Sequence, residues 1–393
     1  MSPRSRLFVA LVSTALTGYI LLGSLLGRVL GDSTYGQLAL FNEVVRLVLE
    51  AYVEPVNVDR ALAGARLGLT EALDGDSSYL DQEEFRAWQQ QPRDNEADVG
   101  LLLTRRLGFL MVVAPRPGSP AEKAGVRPGD IVKSIDARHT RPLAPFAGQR
   151  LLRGAPGSLV KVSLLRAGSD PIELSLVRER LAAPQVKGRV LESGTGYVKV
   201  AEITGHAAED IRGEIETLRR AGARRLVLDL RGAAFGSPAD GVKVAELFLK
   251  GGVVAKLAGA KHAEEVLSAD PARSAWDLPV ATLVDIGTAG AGEVVAAALL
   301  DAGRGEVVGQ RTFGRAPFQK AVPLPEGGLI VTVAKYASPK GTAIHGKGVE
   351  PSVAVELPDE PDGDAEPAAP ARDLTLEKAL EILEQGATQK KAA

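Results

Sequence analysis

Few residues in this chain of 393 are of a type that could carry out chemistry. Cysteine is absent, which excludes a disulfide framework, a thiol nucleophile and a Cys-ligated metal site. The four histidines lie far apart without a paired metal spacing, and no G-x-S-x-G elbow is present. We therefore expect no metal, no cofactor and no Ser-His-Asp triad. The histidines are His139, His206, His262 and His345.

Two further stretches could bind anions. The run GTAGAGE (Gly287–Glu293) precedes an apolar segment, as a phosphate-binding loop would, but it lacks the Lys-Ser/Thr pair of a P-loop. Arg315, in the run FGR, could bind a carboxylate or phosphate, because a guanidinium is a forked donor. The net charge is −2, from 47 basic and 49 acidic residues, so no nucleic-acid partner is expected.

The first residues predict a membrane anchor. Arg4 and Arg6 precede Leu7–Leu26, an uncharged run of 20 residues that is long enough to cross a bilayer as a helix. A secretory signal has a shorter apolar core and a cleavage site, which we do not recognise here, so an uncleaved anchor is favoured over a removed signal peptide. Arginines before the span would keep the tip cytoplasmic and place the bulk outside, in the periplasm of a single-pass protein of the cell membrane.

The pattern of apolar residues predicts a multidomain α+β protein. Helical periodicity dominates the first region after the anchor, short punctuated strands the next, and alternating strands and helices the third, which indicates an α/β domain with a mixed sheet. The predicted segments are the anchor (1–31), a helical region (35–95), a β-rich domain (96–182), an α/β domain (183–356), an acidic Pro/Ala linker (357–372) and a C-terminal helix (373–393).

The β-rich domain resembles a PDZ domain. The resemblance is carried by GSPAEKAGVRPGDIVKSID (118–136) and LLRGAPGSLVKVSLLRAG (151–168). It implies a loop, 98–101, whose backbone amides meet a peptide carboxylate while the peptide adds to the sheet edge. Asp98 stands where the family usually has glycine, so its side chain would crowd or repel a carboxylate. The implied peptide-binding residues, which could equally be simple core residues, are Val99, Gly100, Leu101, Leu103, Phe146 and Leu151.

The chain from about residue 38 to 383 resembles the C-terminal processing peptidases, also called tail-specific proteases. The matching runs are EAYVEPV, SSYLDQEEF, LVLDLRG, GEVVAAALLDAGRGEVVGQRTFG and ASPKGTAIHGKGVEPSV. The resemblance implies a serine nucleophile at the start of a helix, a lysine base 25 residues later and a glutamine four residues after the lysine.

In this chain those positions carry Gly290, Arg315 and Gln319, so the spacing is intact. Glycine has no side chain with which to attack a carbonyl. Arginine stays protonated and cannot act as a base, whereas a buried lysine can. The family resemblance combined with these residues predicts a catalytically inactive member.

A third departure concerns the loop that helps to form the oxyanion hole in active relatives, where N-N-P-G-G is typical. This chain has Gly232-Ala233-Ala234-Phe235-Gly236, so Phe235 replaces a glycine and is expected to disfavour an unusual backbone angle. Thr288, Ser237 and Lys320 could form a rearranged site. The simpler interpretation is that Thr288 caps a helix and that the other two are solvated.

Three functions remain open at this stage. The first is an extracytoplasmic pseudoprotease that binds polypeptide C-termini or extended peptides, or that pairs with an active homologue or an envelope enzyme. The second is an active serine endopeptidase with a rearranged site. The third is a structural envelope protein with no working peptide groove. The resemblance also implies homo-oligomerisation through the terminal helices.

Overall fold

The structure is a computed structural model that describes residues 34–90, 96–182, 184–356 and 372–392. The chain divides into two units, residues 1–65 and 66–393. The first contains α1 (Thr34–Ala51) and the start of α2 (Val58–Glu71). The apolar face predicted for this region is present, because Phe41, Val44 and Leu62 line a cavity of about 120 Å³ within the unit.

None of the described helices is long and apolar enough to cross a membrane. The predicted anchor Leu7–Leu26 and most of the acidic linker lie outside the described residues. The anchor is therefore not part of the fold that the structure supports, and it stays a prediction.

The second unit contains the predicted PDZ fold. Its antiparallel sheet has the strand order β2-β3-β4-β6-β7, with β5 paired to β4, and β2 lies at the edge. The strands are β2 (Leu101–Arg106), β3 (Phe109–Pro115), β4 (Ile131–Ile135), β5 (Arg138–His139), β6 (Leu159–Leu165) and β7 (Ile172–Val177). Two helices accompany them, α4 (Pro120–Lys123) and α5 (Pro145–Leu152). Ser119 caps α4, with Pro120 at its first position, as the sequence indicates.

The α/β domain is built on a mixed six-stranded sheet of order β17-β14-β13-β10-β9-β8, which is parallel except where β8 meets β9. Its strands are β8 (Lys187–Val190), β9 (Gly196–Lys199), β10 (Leu226–Asp229), β13 (Val280–Val284), β14 (Glu306–Gly309) and β17 (Val353–Ala354). Its helices are α6 (Ala207–Arg220), α7 (Pro238–Glu246), α8 (Ala291–Asp301) and α9 (Leu374–Ala392). This architecture is the α/β fold with a mixed sheet that the sequence predicts.

A second, antiparallel sheet was not anticipated. It has the order β1-β16-β11-β12, with β15 also paired to β16. The strands are β1 (Ser78–Leu80), β11 (Val253–Gly259), β12 (His262–Ser268), β15 (Pro317–Leu324) and β16 (Gly327–Ala337). The run DGDSSYL, which has the composition of a turn, ends in β1 because Ser78–Leu80 pairs with β16 about 250 residues away. Such a long-range pairing leaves no local signal. Between β1 and the PDZ domain lies α3 (Gln82–Gln89), which Asp81 caps.

Helix α8 begins directly after Gly290, the position that the family resemblance implies for the nucleophile. Residues 291–299 are all buried, since the helix packs against both sheets of the α/β domain and is apolar apart from Glu293. At its start the backbone packing is very tight: a Cβ on Gly292 would lie 2.7 Å from the carbonyl oxygen of Ala233. The first turn of α8 is therefore held firmly against the loop that follows β10.

Candidate functional site

Three loops meet at the carboxyl edge of the parallel strands. They follow β10, β13 and β14, which are neighbours in the sheet, and this edge is where open α/β sheets place their ligand sites. A Cβ built on Gly290 would lie 3.5 Å from the carbonyl oxygen of Arg315 and 3.8 Å from that of Gly236. The structure thus brings together the nucleophile position, the base position and the altered loop, which lie far apart in sequence.

Gly290 caps the N-terminus of α8 with φ +57° and ψ −109°. This conformation is strained for any residue with a Cβ, although neither contact distance to that Cβ would be a clash. A side chain at this position would therefore have room, but only in a strained backbone conformation. Because glycine has no side chain, position 290 carries no group that could react.

Glu293 is the carboxylate that holds this site together. It is fully buried, and it accepts hydrogen bonds from the amides of Gly290 (3.0 Å), Gly314 (2.7 Å) and Arg315 (2.8 Å) and from the hydroxyl of Thr312. Burial raises the pKa of the Glu293 carboxyl above its ordinary value, and the four hydrogen bonds oppose that rise. One side chain thus joins the turn before α8 to the loop after β14.

Arg315 is engaged in an ion pair. Its Nε donates to Oδ1 of Asp76 at 2.7 Å, and the Asp76 carboxylate is almost entirely buried. Gln319 donates from Nε2 to the backbone oxygen of Asp76 at 2.8 Å. Thr104, on the PDZ strand β2, also contacts Asp76 Oδ1 through its hydroxyl at 3.2 Å. Asp76 therefore joins the base position, the retained glutamine and the PDZ domain.

The loop after β10 is closed by apolar packing. Phe235 is partly buried in a cluster with Leu102 and Val113 of the PDZ domain and with Ala289, the residue before Gly290. The expected backbone strain does not fall on Phe235, which is not among the non-glycine residues with positive φ. It falls on Gly236, at φ +123°, where a Cβ would lie 1.7 Å from the carbonyl oxygen of Ile203.

The side chains considered for a rearranged site have structural roles. Thr288 is fully buried; its hydroxyl lies 2.9 Å from the Leu230 carbonyl oxygen and 3.0 Å from Asp285 Oδ1, and it accepts from the Asp285 amide. It does not cap α8, because Gly290 occupies that position. Ser237 instead caps α7, accepting from the Asp240 amide. Lys320 is exposed on β15.

No group of three or more His, Asp or Glu side chains in the described part of the chain is arranged to hold a metal ion. His345 accepts a hydrogen bond from the Ala316 amide through Nδ1 at 3.3 Å. Burial, reinforced by the charge of Lys335, lowers the pKa of His345 below its ordinary value. This histidine already has a backbone partner near the loop after β14.

The PDZ loop carries an internal carboxylate. Oδ1 of Asp98 accepts from the amide of Gly100 at 2.9 Å, and Oδ2 lies 3.2 Å from Nε of Arg153. The predicted peptide-binding residues separate into two clusters. Val99, Leu101 and Leu103 are buried in the PDZ core, with Leu151 packed against it. Phe146 packs instead with Leu80 and Phe85 of the segment that precedes the domain.

Sequence reasoning missed Asp76 and assigned Glu293 no role. Asp76 lies 239 residues from Arg315, so nothing local points to their contact. For Glu293 a signal was present, since an acidic residue three positions after an N-cap can accept a hydrogen bond from the N-cap amide, as Glu293 does from Gly290. Its reach to Gly314 and Arg315 depends on the fold.

Comparisons with known proteins agree with this architecture. The family model for peptidase family S41 matches residues 194–355, and a PDZ domain model matches residues 111–166. The carboxy-terminal processing protease CtpA of Bacillus subtilis (strain 168) is 31% identical over 360 residues, which cover 90% of this chain and 76% of that protein. The carboxy-terminal-processing protease of Bartonella bacilliformis is 31% identical over 346 residues, covering 83% and 77%.

Among solved structures, the photosystem II D1 C-terminal processing protease superposes with a TM-score of 0.69 at 30% sequence identity. The match covers 81% of this chain and 92% of that one. The similarity therefore includes the PDZ domain and the α/β domain together.

Proposed function

This chain belongs to peptidase family S41, and we propose that it is a member without catalytic activity that binds polypeptides. The observation that carries the proposal is the pair Gly290 and Arg315. They occupy the positions implied for the nucleophile and the base within an intact frame, and neither can perform that role.

The contacts of Arg315 strengthen the argument against a hidden base. Its guanidinium is bound to the buried carboxylate of Asp76 at 2.7 Å, so the positive charge is fixed by its partner. The hydroxyl of Thr288 is buried among acceptors, and that of Ser237 donates to Asp240 Oδ2 at 2.7 Å. Among the described residues, both hydroxyls donate to oxygen acceptors, and neither contacts an amine or imidazole nitrogen of the kind that activates a serine or threonine nucleophile.

A binding role is supported by what the chain retains. The PDZ domain keeps β2 as an edge strand, the element to which a peptide strand can add. Relatives are named for processing the carboxyl termini of proteins. We therefore propose polypeptides in extended conformation as the ligand class, recognised by the PDZ domain and without cleavage.

We also propose that the protein is anchored in the cell membrane with its folded part outside the cytoplasm. The support is the 20-residue uncharged run Leu7–Leu26 after Arg4 and Arg6. Digestion of intact spheroplasts with an added protease tests this: loss of the folded part is expected, and its protection would overturn the proposed orientation. Homo-oligomerisation and pairing with an active relative stay predictions.

Cleavage of an unfolded protein by the full-length chain tests the proposed inactivity. We expect no product above the rate of a blank, with an active family member as the positive control. The variants Thr288→Ala and Ser237→Ala identify the source of any activity. Cleavage that either variant abolishes would establish a rearranged serine or threonine site and overturn the proposal.

A peptide pull-down separates a binder from a purely structural protein. The full-length chain should enrich peptides from a random library relative to a variant that lacks residues 96–182. Equal recovery by both proteins would show that the PDZ domain has no binding role.

A further inference from the structure

The carboxylate end of the PDZ groove is already occupied by a side chain of the protein itself. The PDZ fold implies a peptide groove between the edge strand β2 and α5, and Asp98 and Arg153 form an ion pair at the end of it, beside the last turn of α5. Asp98 accepts from the Gly100 amide at 2.9 Å and pairs with Arg153 at 3.2 Å. These two donors are of the kind that a peptide's terminal carboxylate needs, a loop amide and a cation.

The backbone holds Asp98 in this position from both sides. The amide of Ala97 donates to the Gly154 oxygen at 2.9 Å, and the Gly154 amide donates back at 3.0 Å. Asp98 and Glu179 exchange two backbone hydrogen bonds, each of 3.0 Å. The carboxylate is therefore placed by the fold, and little additional ordering is needed for it to meet Gly100 and Arg153.

A free peptide carboxylate would have to displace this arrangement. The internal carboxylate is always present at a high effective concentration, whereas an external peptide is dilute. The two negative charges would also repel each other within hydrogen-bond distance of the same donors. A C-terminal carboxylate thus gains no net partner at this end of the groove.

The chain itself uses part of the outward edge of β2, since Nε2 of Gln149 donates to the Leu101 oxygen at 3.3 Å and the Gly75 segment lies against Arg105. The amide of Arg105 points away from β3, since it donates to the Gly75 oxygen at 2.9 Å. Because such groups alternate along an antiparallel strand, Leu103 presents its backbone to the same side. Main-chain pairing at Leu103 does not require the ligand to end there.

We propose that this PDZ groove binds internal extended segments of polypeptides and does not select free C-termini, with Asp98 as the residue that sets this specificity. The inference rests on the proposed function in that the groove is a binding site. It goes beyond that function by assigning the ligand class, and it departs from the C-terminal recognition that the family resemblance implies.

Two libraries of random decapeptides test the proposal; they are identical except that one ends in a free carboxylate and the other in a carboxamide. Peptides captured by the full-length protein are quantified by mass spectrometry. For the unmodified chain we expect equal capture of the two libraries, within about twofold. For Asp98→Gly, which frees both the Gly100 amide and Arg153, the free-acid library should be favoured by about tenfold, the scale of a charge-assisted hydrogen bond.

Two further variants keep the test decisive. Asp98→Asn retains an acceptor for the Gly100 amide and removes only the charge, so it should shift the ratio in the same direction by a smaller factor. Asp170→Asn removes an equal charge from an exposed turn of the same domain and should leave the ratio unchanged. Melting curves establish that each variant is folded.

A preference of the unmodified chain for free acids by about tenfold would overturn the proposal. An unchanged ratio in both Asp98 variants, or no capture by any of the proteins, would overturn it as well. Cleavage of the peptides would count against the proposed inactivity and would leave the acid-to-amide ratio interpretable.

Discussion

The turn before α8 and the PDZ loop both use an internal carboxylate to hold backbone amides. Glu293 binds the amides of Gly290, Gly314 and Arg315 and is fully buried. Asp98 accepts a hydrogen bond from the amide of Gly100, and its side chain is 28% exposed. The two carboxylates do similar hydrogen bonding in very different surroundings.

The difference shows what each carboxylate can control. A buried acceptor of four hydrogen bonds is part of the scaffold, because leaving its donors unpaired is expensive. The hydrogen bonds of Glu293 therefore hold the backbone at Gly290, Gly314 and Arg315 in place even though residue 290 is not a nucleophile. The partly exposed carboxylate of Asp98 lies at the end of the proposed peptide groove, so we expect its replacement to change ligand selection more than folding.

Replacing Glu293 by glutamine should have the largest effect. The amide group turns one acceptor into a donor facing backbone N–H groups, which leaves buried donors unpaired at a cost of about 2–4 kcal/mol of unfolding free energy. Chemical denaturation of the full-length chain measures this change. A loss below about 0.5 kcal/mol would show that Glu293 is not the scaffold element described here.

The Asp76–Arg315 pair should show a smaller but clear coupling. A double-mutant cycle with Asp76→Ala and Arg315→Ala is expected to give an interaction energy of about 1–3 kcal/mol in unfolding free energy, since the carboxylate is buried. The exposed pair Arg311–Glu350 provides a matched control expected to give less than about 1 kcal/mol. Equal coupling in the two pairs would contradict a special role for Asp76.

Restoring the missing groups should recover little activity. Gly290→Ser with Arg315→Lys supplies a nucleophile and an amine, but Asp76 would favour the protonated lysine, and Phe235 would still close the loop after β10. We expect cleavage of an unfolded substrate no more than about tenfold above background, which is about 1.4 kcal/mol of barrier. Adding Asp76→Asn should increase the rate if the ion pair limits the lysine. Robust turnover by the double variant would show that the altered loop is no obstacle.

The smallest effect on stability should come from Asp98→Asn. The asparagine oxygen can still accept from the Gly100 amide, and the ion pair that is lost is partly exposed, so we expect a change below about 1 kcal/mol. Denaturation under the conditions used for Glu293→Gln makes the two values directly comparable. A loss as large as that of the Glu293 variant would make Asp98 a scaffold element and remove the contrast drawn above.

Much of the fold could be predicted because its signals are local. The PDZ motif around Ser119 contains its own cap and turns, and the apolar run after Gly290 predicts a buried helix, which α8 is. The sheet formed by β1, β11, β12, β15 and β16 was missed because strand pairing joins distant segments. The hairpin β11–β12 is largely exposed on its second strand, so it shows little hydrophobic pattern.

For the site, the sequence predicts only which positions correspond to the nucleophile and the base. Intact spacing between residues 290 and 315 places the two positions in the family frame, and the structure brings them within a few ångströms. The partners of those positions could not be predicted, because Asp76 reaches Arg315 across 239 residues. Thr288 was expected to cap α8, but Gly290 is the N-cap and the Thr288 hydroxyl is engaged with Asp285 and Leu230, whereas Ser237, expected to be only solvated, caps α7.

Labelling of the full-length protein with a fluorophosphonate probe, followed by intact-mass analysis, tests directly whether the chain has an activated serine or threonine hydroxyl. An activated hydroxyl forms a covalent adduct with this reagent, whether or not the substrate is known. We expect no adduct under conditions in which an active relative is fully labelled. A stoichiometric adduct on any serine or threonine, lost when that residue is replaced by alanine, would contradict it.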